Sequence, residues 1–306
     1  MILEMIVPLL AATVQSGTPI LLATLGEIIT EKGGVLNLGV EGMMLVGALG
    51  GFLVCQQTGS PWLGFVAAGA VTALFSGVHA LVCVNFMGNQ VVSGLALTIL
   101  GTGVANFLGT PFIGQEAPGF DGFSVPLLSD IPFLGRVLFS QDALVYISYF
   151  LPLLVFVFLS RTKWGLRLRA VGEHPEAAKS AGISVPGYRW LGTMLGGFLV
   201  GLGGAYLSLA YTHMWTSDLS GGRGWIAVAL VIFAFWRPFR AIGGAYLFGG
   251  IMAFQLRVQA MGTDLPSSFL LMLPYVLTIV VLVLSYKKGR IYAAPAGLGV
   301  NAEPEE

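Results

Sequence analysis

Charge is scarce in this 306-residue sequence: Asp, Glu, Lys and Arg make up 10% of it against 56% hydrophobic residues, and the mean hydropathy is +0.84. One soluble core of this length has no room for so much apolar surface, so lipid is the solvent that the composition selects. Net charge is absent too, with 15 basic and 15 acidic residues, which removes the basic face that nucleic acid requires. Cysteine is limited to Cys55 and Cys83, both inside apolar stretches without companions for a disulfide framework or a metal site; they read as packing residues. Missing as well is any lysine in the pattern G-x-x-x-x-G-K-[ST], so the chain has no ATP-hydrolysing loop of its own. H-E-x-x-H, C-x-x-C and G-x-S-x-G are likewise absent, and His79, His174 and His213 lie on different segments, so neither catalytic residues nor a metal site is expected. The opening Met1-Ile-Leu-Glu-Met lacks a basic stretch and an early small-residue cleavage site, so the first apolar run is expected to stay as a membrane helix.

What the sequence has in abundance is long apolar runs and glycine, 43 residues of it, the residue that lets membrane helices approach closely. About nine runs reach or approach the length of a membrane crossing, at 6–29, 34–55, 61–84, 91–113, 143–160, 190–211, 220–236, 241–259 and 267–286. An all-α, polytopic transmembrane helical bundle follows, a single transmembrane domain over 1–300. The seventh run has a clean apolar core only from 225 to 236, short enough to be a broken or re-entrant helix.

Alternating crossings put Lys32, Arg161, Lys163, Arg167, Arg169, Lys179, Arg189, Arg237, Arg240, Lys287, Lys288 and Arg290 on one side and leave Arg136, Arg223 and Arg257 on the other. The basic side should be cytoplasmic, with the N-terminus outside and the C-terminus inside. Two connections are long: an outer one at 114–142, rich in Pro, Gly and Phe, and a polar cytoplasmic one at 161–189. Within the latter, Pro175 and Gly182 carry the start and stop signals of a short helix. The last residues, 301–306, read as a disordered tail. Leu49-Gly-Gly-Phe-Leu-Val recurs as Leu195-Gly-Gly-Phe-Leu-Val; either duplication of a four-helix unit or the repetitiveness of membrane helices accounts for it.

Polar residues inside lipid-embedded segments tend to face a cavity or a partner helix. Asn37 and Glu41, four apart, are expected on one face of the second segment, Glu41 either as a pathway or gating group or as a hydrogen-bond acceptor for a broken neighbouring helix. Asn106, with Thr102 one turn before it and Phe107 beside it, offers an amide next to an aromatic, suited to a solute with ring and hydroxyls, or else to an interhelical hydrogen bond. His79 reads as a helix-contact histidine, and Phe233, Phe235 and Trp236 as lipid-facing or interfacial anchors.

The cytoplasmic stretch around Glu176-Ala-Ala, followed after three residues by Gly182, Ile183 and Pro186, forms a short element with small residues on one face and Glu173 and Glu176 near its start. It resembles the coupling-helix sequence of ABC importer permeases, the Glu-Ala-Ala-x-x-x-Gly loop. Gly26-Glu-Ile-Ile-Thr-Glu-Lys-Gly-Gly-Val-Leu-Asn-Leu-Gly-Val-Glu-Gly-Met-Met is similar to the first inner turn of the permease family serving branched-chain amino acids, simple sugars and nucleosides. Gly222-Arg-Gly-Trp-Ile-Ala-Val-Ala-Leu-Val-Ile-Phe-Ala-Phe-Trp-Arg-Pro resembles that family's later Gly-Arg-Gly-x-Ile-Ala block, and Pro295-Ala-Gly-Leu-Gly extends the likeness to the end of the chain. The first stretch is most similar to the nucleoside-type branch. One departure stands out: where the family pattern leads to glycine before the second tryptophan, this sequence has Ala234-Phe235 before Trp236.

The resemblance implies a non-catalytic permease subunit in a bacterial inner membrane, importing a nucleoside or, alternatively, a simple sugar. It implies separate ATPase subunits that hold ATP and magnesium, a second homologous permease, and an extracytoplasmic substrate-binding lipoprotein, with Glu173, His174, Pro175, Glu176, Ala177, Ala178 and Gly182 as the ATPase-coupling residues. The rival from another class is an ion-driven secondary transporter, which needs an intramembrane relay from groups such as Glu41 and His79 and has no use for such a loop.

Overall fold

A computed structural model describes residues 2–262, 266–289 and 294–301, and among them the chain folds into twelve α-helices with one two-residue strand pair. Seven helical stretches are long and apolar enough to cross a membrane: Ile6–Lys32, Val40–Thr58, Pro61–Asn85, Gln90–Phe112, Ala143–Arg161, Val185–Tyr211 and Pro238–Ala260. They correspond to α1 (Ile2–Lys32), α2 (Val40–Thr58), α3 (Pro61–Ala80), α4 (Gln90–Gly109), α6 (Ala143–Arg161), α9 (Val185–Tyr206) and α11 (Pro238–Ala260). Two further helices fall within the remaining apolar runs: α10 (Arg223–Phe233), with 11 residues, and α12 (Ser267–Gly289). The multi-pass helical bundle expected from the sequence is therefore present; expected tail residues 302–306 lie outside the described residues.

Helices α1, α2 and α9 form the centre. α9 packs on α1, α2 and α3, α11 lies along α1, α4 along α2, and α10 is wedged among α1, α2, α11 and α12. Close approach is possible because glycines meet: a methyl at Gly101 would lie 2.7 Å from the Gly42 carbonyl oxygen, which lets α4 and α2 touch backbone to backbone. Helix starts are set by side-chain caps from Ser60 (α3), Asn89 (α4), Asp142 (α6), Thr162 (α7) and Ser184 (α9).

One end of the bundle is closed by the 110–142 segment, which carries α5 (Leu134–Leu138) and the strand pair β1 (Phe123–Ser124) and β2 (Ser140–Gln141). Phe120 from this segment packs edge-on against Trp62 and Phe65 of α3. At the other end lie α7 (Lys163–Glu173), α8 (Pro175–Ser180) and the C-terminal residues 294–301. Gly297 N–H donates to Gly172 O at 2.8 Å, Gly299 N–H to Gly34 O at 3.3 Å, and Asn301 Nδ2 to Met87 O at 2.6 Å. Asn301, placed by sequence at the head of the disordered tail, is thus anchored, because it satisfies carbonyls in the turn between α3 and α4.

Candidate functional site

Two crossings are interrupted, and their breaks meet. The connection from α1 to α2 is not helical at 35–37, and α2 begins only at Val40, so Asn37 lies in the turn before the helix rather than on its face as the four-residue spacing suggested. This connection climbs along α4. Leu36 N–H donates to Gln90 Oε1 at 2.7 Å, at the start of α4, and Leu38 O accepts from Thr98 Oγ1 at 2.8 Å, two turns further on. Gly42 packs against Thr98 and Gly101, in the middle of α4. The N-terminus of α2 therefore sits about 12–17 Å along α4, near the midplane of a bundle that spans a bilayer.

Irregular backbone at that depth must be satisfied by protein. His79 does part of this, its Nε2 at 3.0 Å from Leu36 O and its Nδ1 at 2.9 Å from Ser93 Oγ. Asn37 does more: its N–H donates to Glu27 Oε1 at 3.2 Å, its Oδ1 accepts from Gly39 N–H at 2.8 Å, and its Nδ2 contacts Met43 Sδ at 3.2 Å.

The second break precedes α10, whose 11 residues rise about 16 Å, half of a hydrocarbon core. Its N-terminus ends beside that of α2, and Glu41 joins them. One carboxylate oxygen of Glu41 accepts from Ser220 Oγ at 2.5 Å and Gly222 N–H at 2.8 Å, the other from Gly224 N–H at 2.7 Å. Gly222 caps α10 with φ +82°, a left-handed conformation that glycine adopts without penalty. At Gly224 a side chain has no room, since a methyl would lie 2.5 Å from Glu41 Cα. A carboxylate at a helix N-terminus satisfies free N–H groups and complements the dipole together, so Glu41 serves as the cap of α10.

Arg223, one of the three basic residues expected on the outer side, is 93% shielded from solvent, with Nη1 donating to Ser220 O at 3.0 Å and its guanidinium 5.5 Å over the Tyr211 ring. Tyr211 in turn pairs with Ser16 Oγ at 3.2 Å, and Tyr275 of α12 abuts Gly222. Nearer the end closed by 110–142, Asn106 and Asp218 bond reciprocally: Asn106 Nδ2 donates to Asp218 Oδ1 at 2.9 Å, and Asp218 N–H to Asn106 Oδ1 at 3.2 Å. Glu41 and Asn106 are thereby brought to one segment, 218–224. Thr102, half-buried one turn below Asn106, takes no part in these bonds.

The far end of α10 is also held by an acid. Trp236 Nε1 donates to Glu31 Oε2, and Trp236 is buried, not a lipid-facing anchor. Phe235 and Trp236 have φ +53° and +54°, so the position where the family pattern leads to glycine does adopt the glycine-favoring backbone here, with phenylalanine in it. Glu27 and Glu31, one turn apart and buried on α1, were not singled out from sequence, because acids in the last turns of an apolar run read as an inner boundary.

The expected coupling residues form a compact surface element. α7 ends at Glu173, His174 links it to α8, and Pro175 takes the first helical position, so Glu173 closes α7 instead of opening α8. Gly182, φ +74°, ends α8 in a Schellman turn: Ile183 N–H donates to Ala178 O at 3.0 Å and Gly182 N–H to Lys179 O at 2.9 Å. Ala178 is buried, while Glu176, Ala177 and Gly182 are exposed. Glu173 reaches back, with Oε1 at 3.9 Å from Lys32 Nζ and Oε2 accepting from Ala296 N–H at 3.3 Å, which ties the root of α8 to the end of α1.

Comparison with known proteins agrees with this architecture. Residues 9–282 match the family described as "Branched-chain amino acid transport system / permease component". The "Putative glucose ABC transporter permease protein TsgC13" of Haloferax volcanii is 47% identical over 84% of this chain and 79% of its own. The "Nucleoside ABC transporter permease protein NupC" of Lactococcus lactis is 36% identical over 93% of each chain, and the "Guanosine ABC transporter permease protein NupQ" of Bacillus subtilis 36% over 92% of each. A family match over most of the length, together with these relatives, makes the chain a member of that permease family, a multi-pass membrane subunit of ABC transport systems.

Proposed function

We propose that this chain forms the membrane pathway of an ABC importer for nucleosides, in the cell's inner membrane, together with a second homologous permease. On this reading α10 and α12 join the seven long helices as crossings, the N-terminus is outside and α8 is in the cytoplasm. The exposed face of α8 docks on an ATPase subunit that holds ATP and magnesium, and an extracytoplasmic binding lipoprotein delivers solute to the end closed by 110–142. ATP-driven closure of the ATPases biases a two-state equilibrium between inward and outward openings. Motion at α8 has a physical path inward: through Glu173 to Lys32 at the end of α1, through neighbouring Glu31 to Trp236, and along α10 to its capped N-terminus at Glu41.

The observation that carries the reading is this junction of two helix N-termini, those of α2 and of the half-length α10, linked through Trp236, Glu31, Lys32 and Glu173 to the Glu-Ala-Ala helix. Helix N-termini at the midplane offer N–H groups to a polar solute, and Asn37, Glu41, Thr102 and Asn106 are the side chains assigned to that pathway on this reading. Nucleosides are the favoured solute because two relatives aligned over more than 90% of both chains are named for them. A simple sugar is the second reading, favoured by the 47% identity to the archaeal protein; both solutes present a polyol face.

Replacing Glu176 or Gly182 by tryptophan should release or uncouple the ATPase with membrane insertion intact. Undiminished uptake in both variants would overturn the assignment. Competition of a nucleoside panel and a sugar panel for uptake separates the two solutes.

A further inference from the structure

Between α4 and α6 the chain exposes apolar side chains that no described element covers. Phe123, Leu127, Leu128, Ile131, Phe133 and Leu134 are 39–84% exposed, and Asp130 is the one charged residue from Gly122 to Gly135. Two of the six adopt a backbone that bulky residues avoid, with φ +69° at Leu127 and +68° at Phe133. Local turns impose it: Ser129 N–H donates to Val125 O and Gly135 N–H to Ile131 O, each at 2.9 Å. Strain and exposed apolar surface are both unfavourable in water, and contact with an apolar phase offsets them.

The packing of the segment sets its depth. Phe120 stands edge-on to Trp62, in the first turn of α3, with ring centroids 4.8 Å apart. Phe123 stands edge-on to Tyr146, in the first turn of α6, at 5.1 Å, and the Tyr146 hydroxyl donates to Phe123 O at 3.0 Å. Both helices begin stretches long and apolar enough to cross a membrane, and Trp and Tyr at the ends of such helices sit at the boundary between headgroups and hydrocarbon. Tyr146 packs in turn on Tyr149, beside Phe150, Leu153 and Leu154 on the exposed side of α6. That side faces acyl chains in a multi-pass bundle, so the apolar surface of the segment continues one already covered by lipid.

We propose that residues 123–134 lie in the interface of the lipid leaflet at this end of the bundle, with Leu127 and Phe133 among acyl chains and Asp130 at the headgroups. The segment is then a membrane anchor, not a loop in water. The inference needs only the multi-pass bundle; it stands or falls independently of the solute and of the compartment that holds α8.

The test uses the full-length chain in phosphatidylcholine nanodiscs, without other transporter subunits, carrying a nitroxide on Leu127→Cys. Cys55 and Cys83 are buried, and the parent chain taken through the same labelling corrects for them. A water-soluble nickel chelate should relax the label about tenfold less than at Glu176→Cys on α8, because polar solutes are excluded from hydrocarbon. Dissolved oxygen should relax it as strongly as at Leu154→Cys on the lipid side of α6. Leu134→Cys, outside the left-handed positions, repeats the measurement should Leu127→Cys fail to fold. Relaxation by the chelate equal to that at Glu176→Cys places the segment in water and overturns the proposal. Shielding from both reagents also overturns it, since the side chains then lie against protein.

Discussion

Glu41 shows how one carboxylate governs a membrane-embedded junction. It accepts hydrogen bonds from Ser220, Gly222 and Gly224, and two of those donors are backbone N–H groups at the start of α10. Truncation leaves these donors without acceptors at a buried site, where each unsatisfied group costs about 1–3 kcal/mol. Glu41→Gln keeps one accepting oxygen and the side-chain volume but loses the charge that favours a helix N-terminus. The expected order in heat resistance of the detergent-purified chain is therefore wild type, then Glu41→Gln, then Glu41→Ala, with a gap of about 2 kcal/mol or more between the ends. Equal inactivation half-lives for the three would show that α10 is held elsewhere. On the proposed reading, in which the junction positions the pathway's polar groups, uptake per unit of inserted protein should fall in the same order.

At the scale of elements, α10 and its approach segment behave as one lever pinned at three points: Asn106–Asp218 above, Glu41 at the junction, and Glu31–Trp236 below. The upper pin is a reciprocal pair: losing the Asn106 amide breaks both of its bonds, whereas losing the Asp218 carboxylate breaks one, because the other is donated by the Asp218 backbone N–H. Asn106→Leu and Asp218→Ala should each lower uptake more than protein level, and the double variant should be no worse than the worse single one. Additive losses in this cycle would mean that the two residues act independently.

Much of this element's outline was legible in sequence. Its apolar core at 225–236 was too short for a crossing, and α8 was bracketed by Pro175 and Gly182. The break before α2 was not legible: Val35, Leu36 and Leu38 are apolar, so a hydropathy window runs through them, and only tertiary partners such as Gln90, His79 and Thr98 satisfy the irregular backbone. Trp236 was misplaced for a related reason. Its partner Glu31 is 205 residues away, and no local pattern distinguishes an indole at the lipid interface from one buried against an acid.

For the whole molecule, the coupling role proposed for α8 asks a surface helix of six residues to move a bundle of membrane-spanning helices. So short a helix stores little free energy alone, and its mechanical worth depends on how firmly its root is fixed. Residues 294–301 supply that fixation. They bridge the end of α7 at Gly172 and Glu173, the end of α1 at Gly34 and the turn after α3 at Met87. Deleting them removes several hydrogen bonds worth about 1 kcal/mol each, too few to unfold the bundle but enough to loosen the α7–α8 corner. Amide hydrogen exchange over 170–183 should accelerate on deletion while the α1–α9 core keeps its protection, and in the assembled transporter more ATP should be consumed per solute imported. Asn301→Ala, which loses the links to Met87, Gly88 and Gln90 alone, should give a smaller change in the same direction. Unchanged exchange at the corner after complete deletion would assign its rigidity to the packing of α7 on α6 and α9 instead, and the coupling path would then enter the bundle there.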